Sequence, residues 1–258
     1  MTNWTAFPFD AAGYIYGDAT LSIHWARLHQ GDAEPLAEDG AVRSAWALYH
    51  AGRFQQARDA GLALGDAGVV IANKAQCVHA DYLETSEKTR LAMFLEVAER
   101  AEAQAKARPE LASARYWLAY ALGRHGQGVS VARALALDMD AKVKAALEAA
   151  IALSPRHADA HVALGAFHAE MVDRLGTAAA KARGADAAIG LRMFKQALAL
   201  DPDSATARIE YANGLVMLEG DKRMKEAEQL YADAAACKPL DAAQRLDVER
   251  AKAELADE

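Results

Sequence analysis

Three stretches of this chain share one form, and that form restricts the fold more than any other feature. QAKARPELASARYWL (Gln104–Leu118), AIALSPRHADAHVAL (Ala150–Leu164) and ALALDPDSATARIEY (Ala197–Tyr211) each carry a Pro followed at fixed offsets by two Ala and a large residue. The matching positions are Pro109, Ala112, Ala114 and Leu118; Pro155, Ala158, Ala160 and Leu164; Pro202, Ala205, Ala207 and Tyr211. A helix ends before such a Pro, because the residue preceding proline is pushed out of the α region. The alanines then start a new helix that can approach a neighbour closely. A fourth proline, Pro239, follows another Ala-rich helix end, YADAAACKP. Self-similarity on this scale predicts stacked helical hairpins, each touching only its neighbours. The expected fold class is all-α, an α-solenoid of antiparallel helix hairpins.

Composition agrees and narrows the partners. Alanine dominates and β-branched runs are scarce, which favours helix. The formal net charge of -7 argues against nucleic acid or an anionic membrane surface as the main ligand. The two cysteines, Cys77 and Cys237, lie far apart and form no disulfide framework. The N-terminal stretch MTNWTAFPFDAAGYIYGD has no basic segment followed by an apolar core, so neither a secretory signal nor a membrane span is expected there. No later stretch approaches ~20 uninterrupted apolar residues. The expected compartment is the cytoplasm.

In chain order, residues 1–16 form an aromatic arm with Trp4, Phe7, Phe9, Tyr14 and Tyr16. It either packs on the first hairpin or grips a second subunit. Residues 17–31 are predicted as a helix capped by Thr20 or Asp18 and ended by Gly31. Residues 36–64 are predicted as a hairpin in which Gly52 breaks the first helix, Phe54 fills the groove and Ala57 permits close approach. Residues 67–83 and 87–107 give the next pair. The repeat body, residues 17–239, is closed by a helix in residues 240–258, with an apolar stripe of Val248, Ala251 and Leu255. The prolines at 109, 155 and 202 are 46 and 47 residues apart, whereas a minimal helix pair needs about 34. The surplus falls between the helices of a hairpin, at Arg124–Asp140 and Asp173–Ala188, two segments expected to emerge side by side.

These residues resemble the tetratricopeptide repeat (TPR) family. With Ala158 as first repeat position, Leu164, Gly165 and His168 fall at the family's first-helix core positions. With Ala205 first, Tyr211, Ala212 and Leu215 do, and Ala227, Tyr231, Ala234 and Pro239 match the second helix. Ala112 gives Leu118, Ala119 and Leu122, and Phe94, Val97, Ala101 and Pro109 fit a divergent copy. The lengthened units resemble the divergent repeats of the regulator of microtubule dynamics family and of uncharacterised bacterial TPR proteins. In outline the chain is also similar to a TPR lipoprotein associated with tripartite solute transporters, although no lipoprotein leader is expected in it.

The resemblance implies a non-catalytic scaffold that binds a partner peptide or helix in a groove lined by first helices. Groove positions give Tyr116, Tyr120, Arg124 and Asn213. Tyrosine offers contact area at low entropic cost and arginine a fork for carboxylates. An alternative covers Tyr116 and Tyr120 with a neighbouring helix or the arm. Val162 and Ile209 stand where a terminal-carboxylate clamp needs a polar or basic residue. A second functional reading is an anion- or small-ligand-binding accessory subunit of an enzyme or transporter. It uses the insertions, with Arg124, Gln127, Ser130, Arg174 and Arg183, and Ser130 as a helix N-cap. Self-association through Ala-rich end surfaces is a third. His157, His161 and His168 are expected as satisfied core histidines rather than a metal site. No catalytic triad, paired carboxylates, P-loop, metal or cofactor site is expected.

Overall fold

The computed structural model describes residues 4–129 and 138–256. Among the described residues every regular element is helical. In order these are α1 (Asp18–Leu28), α2 (Gly40–His50), α3 (Phe54–Ala63), α4 (Val69–Tyr82), α5 (Glu87–Ala107), α6 (Ala112–Gln127) and α7 (Met139–Leu153). Then come α8 (Ala158–Leu175), α9 (Thr177–Ala182), α10 (Ala187–Leu200), α11 (Ala205–Glu219), α12 (Met224–Ala235) and α13 (Ala242–Ala256). No helix among the described residues is long and apolar enough to cross a membrane.

The chain divides into two compact units. The first holds the chain up to His29, Glu34–Leu153 and Leu240–Ala243; the second holds Gln30–Ala33, Ser154–Pro239 and the residues from Gln244 onward.

In the first unit α2/α3, α4/α5 and α6/α7 are antiparallel pairs, and the first helices α2, α4 and α6 touch in succession. Trp46 and Tyr49 of α2, Phe54 of α3, Ile71 of α4 and Phe94 of α5 are buried. Gly52 turns the chain between α2 and α3 with φ +75, a conformation that glycine adopts without a Cβ penalty. The arm lies on this first hairpin: the Trp4 N–H donates to Gln55 Oε1 at 2.9 Å, and the Phe7 ring meets Phe54 edge-on at 6.4 Å. A polar network ties α4 to α5. Arg100 donates to Asn73 Oδ1 and Gln76 Oε1, and Gln76 donates to the Met93 carbonyl and Glu96.

Helix α1 differs at both ends from the expectation. Its N-cap is Gly17, without a side-chain cap bond, and it stops at Leu28 rather than Gly31. Asp18 is instead paired with Arg43 at 2.6 Å, and the Thr20 hydroxyl donates to the Gly17 carbonyl. Gly31 belongs to the second unit, where its carbonyl accepts from the Asp159 N–H at 2.9 Å.

In the second unit α8 pairs with α10 and α11 with α12, and α8 also packs on α11. The short α9 occupies part of the surplus between α8 and α10. Phe194 of α10 is wholly buried. Its ring stacks on Tyr211 at 5.4 Å and lies against the backbone of Gly165 on α8 and Gly214 on α11. A Cβ on Gly165 would sit 2.8 Å from the ring, and one on Gly214 would overlap the ring's other edge. Alanine normally stabilises a helix over glycine by about 1 kcal/mol. Here Gly214→Ala is expected to destabilise by about 1–3 kcal/mol, because overpacking dominates when the ring cannot retreat; a lowered urea midpoint checks this. Val248 and Ala251 of α13 cover Ala205, Ile209 and Ala234.

Candidate functional site

The candidate site is built on the touching first helices α4 and α6. Tyr116, Tyr120 and Arg124 follow one another at four-residue spacing, so α6 presents them along one face. That face descends into the protein. Tyr116 is only 5% exposed, its ring against Trp117 at 4.8 Å and Tyr120 at 5.9 Å. Tyr116 is thus covered by packing and offers no contact surface, contrary to the groove expectation. Tyr120 is half-buried and Arg124 partly exposed.

Asp81, at the end of α4, joins the two. The Tyr120 hydroxyl donates to Asp81 Oδ2, Arg124 Nε lies 3.5 Å from Asp81 Oδ1, and the guanidinium sits over the Tyr120 ring at 5.2 Å. Burial, and then the Asp81 charge, push the Tyr120 hydroxyl well above the usual tyrosine range. It therefore stays protonated and donates. Burial does the same to the Cys77 thiol, one turn before Asp81. A protonated buried thiol is a poor nucleophile. Partly open to solvent are Tyr120 and Arg124, the latter already partnered by a carboxylate, and Gln127 is exposed beside them.

The remaining sequence-derived positions are dispersed. Gln127 is exposed beside Arg124, their side chains 3.4 Å apart. Arg174 and Arg183 are exposed in the second unit, at the end of α8 and just past α9. Ser130 lies outside the described residues. Asn213 belongs to the second unit, where its Oδ1 accepts from the Tyr231 hydroxyl at 2.6 Å. The three histidines are buried. His157 Nδ1 accepts from the Ala160 N–H and so caps α8, His161 Nε2 donates to the Pro155 carbonyl, and His168 Nδ1 accepts from the Asp186 N–H.

One cluster had no counterpart in the sequence reading. His50 Nδ1 donates to Asp241 Oδ2 at 2.8 Å, and His50 Nε2 lies 3.3 Å from His29 Nε2. All three residues are at most 3% exposed, within a shell of Trp25, Trp46, Tyr49 and Tyr16 rings. The Tyr16 hydroxyl also donates to the Leu240 carbonyl at 2.6 Å. Residues 240–243 are thereby fastened to α2 and the arm. Among the described residues no group of His, Cys, Asp and Glu has the arrangement of a metal site.

No sequence-family profile matches the chain, and no curated protein matches it. A solved structure does. The crystal structure of a thermophilic TPR protein from Thermus thermophilus aligns over 84% of this chain and 100% of its own, with a TM-score of 0.59 at 19% identity. The fold is that of a TPR-like helical array. In TPR terms α2, α4, α6, α8 and α11 are first helices, and Gly165 is the small first-helix residue against which the second helix packs. Part of the surplus in the α8/α10 repeat forms a short helix, α9, between the standard pair.

Proposed function

We propose that the chain is a non-catalytic scaffold, binding a partner protein through the α4/α6 face around Tyr120, Arg124 and Gln127. A TPR-like array supports an interaction role in general. The observation that carries the finer reading is the Asp81–Tyr120–Arg124 cluster, which fixes an aromatic ring and a guanidinium at the surface. Pre-ordered side chains of this kind lose little entropy on contact. Asn213 provides a comparable position in the second unit, held by Tyr231. The partner is a peptide or helix with polar groups able to meet a neutralised Arg–Asp pair.

Affinity capture followed by dissociation-rate measurement tests this. Arg124→Ala with Gln127→Ala is expected to weaken the captured complex at least tenfold while helix content stays constant. Arg124 is an energetic anchor type, and truncating such a residue costs about 2 kcal/mol or more. Undiminished binding would reject the face. The anion-binding alternative is disfavoured by the Asp81 carboxylate, which already answers the Arg124 charge.

A further inference from the structure

We propose that residues 4–9 form a strap that protonation of His79 releases, uncovering a surface made by Gln55, Arg58 and His79. The geometry singles out this contact. His79, near the end of α4, is wholly buried. Neither of its ring nitrogens has a hydrogen-bond partner in the protein. Its imidazole is stacked under the Trp4 indole, ring centres 4.4 Å apart and 26° from parallel. The same indole carries the Arg58 guanidinium at 4.6 Å. Beyond this stack the segment is held by the Trp4 N–H on Gln55 and by Phe7 against Phe54, and residues 4–9 lie outside any helix.

A buried imidazole without acceptors tolerates its neutral form far better than its charged one. The charged groups acting on the ring are Arg58 on α3, which opposes protonation, and Glu84 just past α4, which favours it. Arg58 is itself paired with Asp59 at 2.6 Å. Stacking on indole favours an imidazolium by about 0.5–2 kcal/mol, but burial outweighs it and holds His79 at about 4. Lifting Trp4 returns the ring to water and to an ordinary value of about 6.5. Protons therefore bind the open form preferentially. Between those two values, acidification drives opening. At pH 5 the open fraction rises by about 30-fold over that at pH 8.

Two measurements on the full chain decide it. In hydrogen exchange corrected for intrinsic rates, the Trp4 amide, bonded to Gln55 in the closed form, should lose protection by about 30-fold between pH 8 and pH 5, while α11 and α12 keep theirs. His79→Phe preserves the stack and cannot titrate, so its strap should exchange equally at both pH values. In Trp4→Ala, the His79 titration followed by NMR should move from about 4 towards 6.5. A His79 titration unchanged by Trp4→Ala overturns the proposal, as does a His79→Phe strap that still loosens with acid. Should His79→Phe fail to fold, the Trp4→Ala titration decides alone.

Discussion

Phe194→Ala is expected to lower the unfolding free energy by about 3–5 kcal/mol, at the upper end for a core truncation. The cost of a large-to-small change depends on how well the surroundings collapse into the space. At Phe194 two of the walls cannot. The ring is bounded by the Gly165 and Gly214 backbones, which have no side chains to swing inward. Tyr211, stacked on the ring at 5.4 Å, has its hydroxyl engaged with Glu226. Phe194→Leu refills part of the volume and should cost less than half as much. Total stability of a domain is about 5–15 kcal/mol, so the alanine variant should unfold the second unit at markedly lower urea. Urea denaturation followed by far-ultraviolet circular dichroism reads the difference. A midpoint within error of the unmodified chain would show that Phe194 does not key these helices together.

His50→Ala should be comparably damaging, about 3–5 kcal/mol, for an electrostatic reason. It removes the imidazole that donates to Asp241, leaving a carboxylate 3% exposed with that bond unmade. The double variant His50→Ala with Asp241→Ala should cost less than the sum of the singles, because the two side chains meet directly and one contact is lost in either single change. Additive losses would mean that the pair is not coupled. The effect should appear in the first unit, because residues 240–243 are fastened there through this pair and through Tyr16.

The sequence and the structure agree most where a residue does its work locally. The alanines of the Pro-marked repeats, Ala114, Ala160 and Ala207, are at most 1% exposed. Their spacing from a helix-stopping proline was enough to announce a helix start and a close approach. Pro109, Pro155 and Pro202 each precede the start of α6, α8 and α11 by three residues, as the motif required. His161 and His168 also behave as their repeat positions implied. The site was less legible. Tyr116 and Tyr120 have the same spacing and chemistry in the sequence, yet one is interior and the other is held at the surface. The Tyr120 hydroxyl is bonded to Asp81, 39 residues upstream, which no periodicity connects to it. His50 and Asp241 are 191 residues apart, and nothing near either residue advertises the other. The N-terminus of α1 failed for a related reason: Asp18, a good cap by type, is drawn to Arg43 on the next helix.

One second-helix ring lies against two successive first helices, and nuclear Overhauser spectroscopy reads that point directly. On a deuterated sample with protonated phenylalanine and glycine, the Phe194 ring should show strong cross-peaks to the Hα protons of both Gly165 and Gly214. Cross-peaks to one glycine alone, or to neither, would contradict a stacked-hairpin array with these helices in this register.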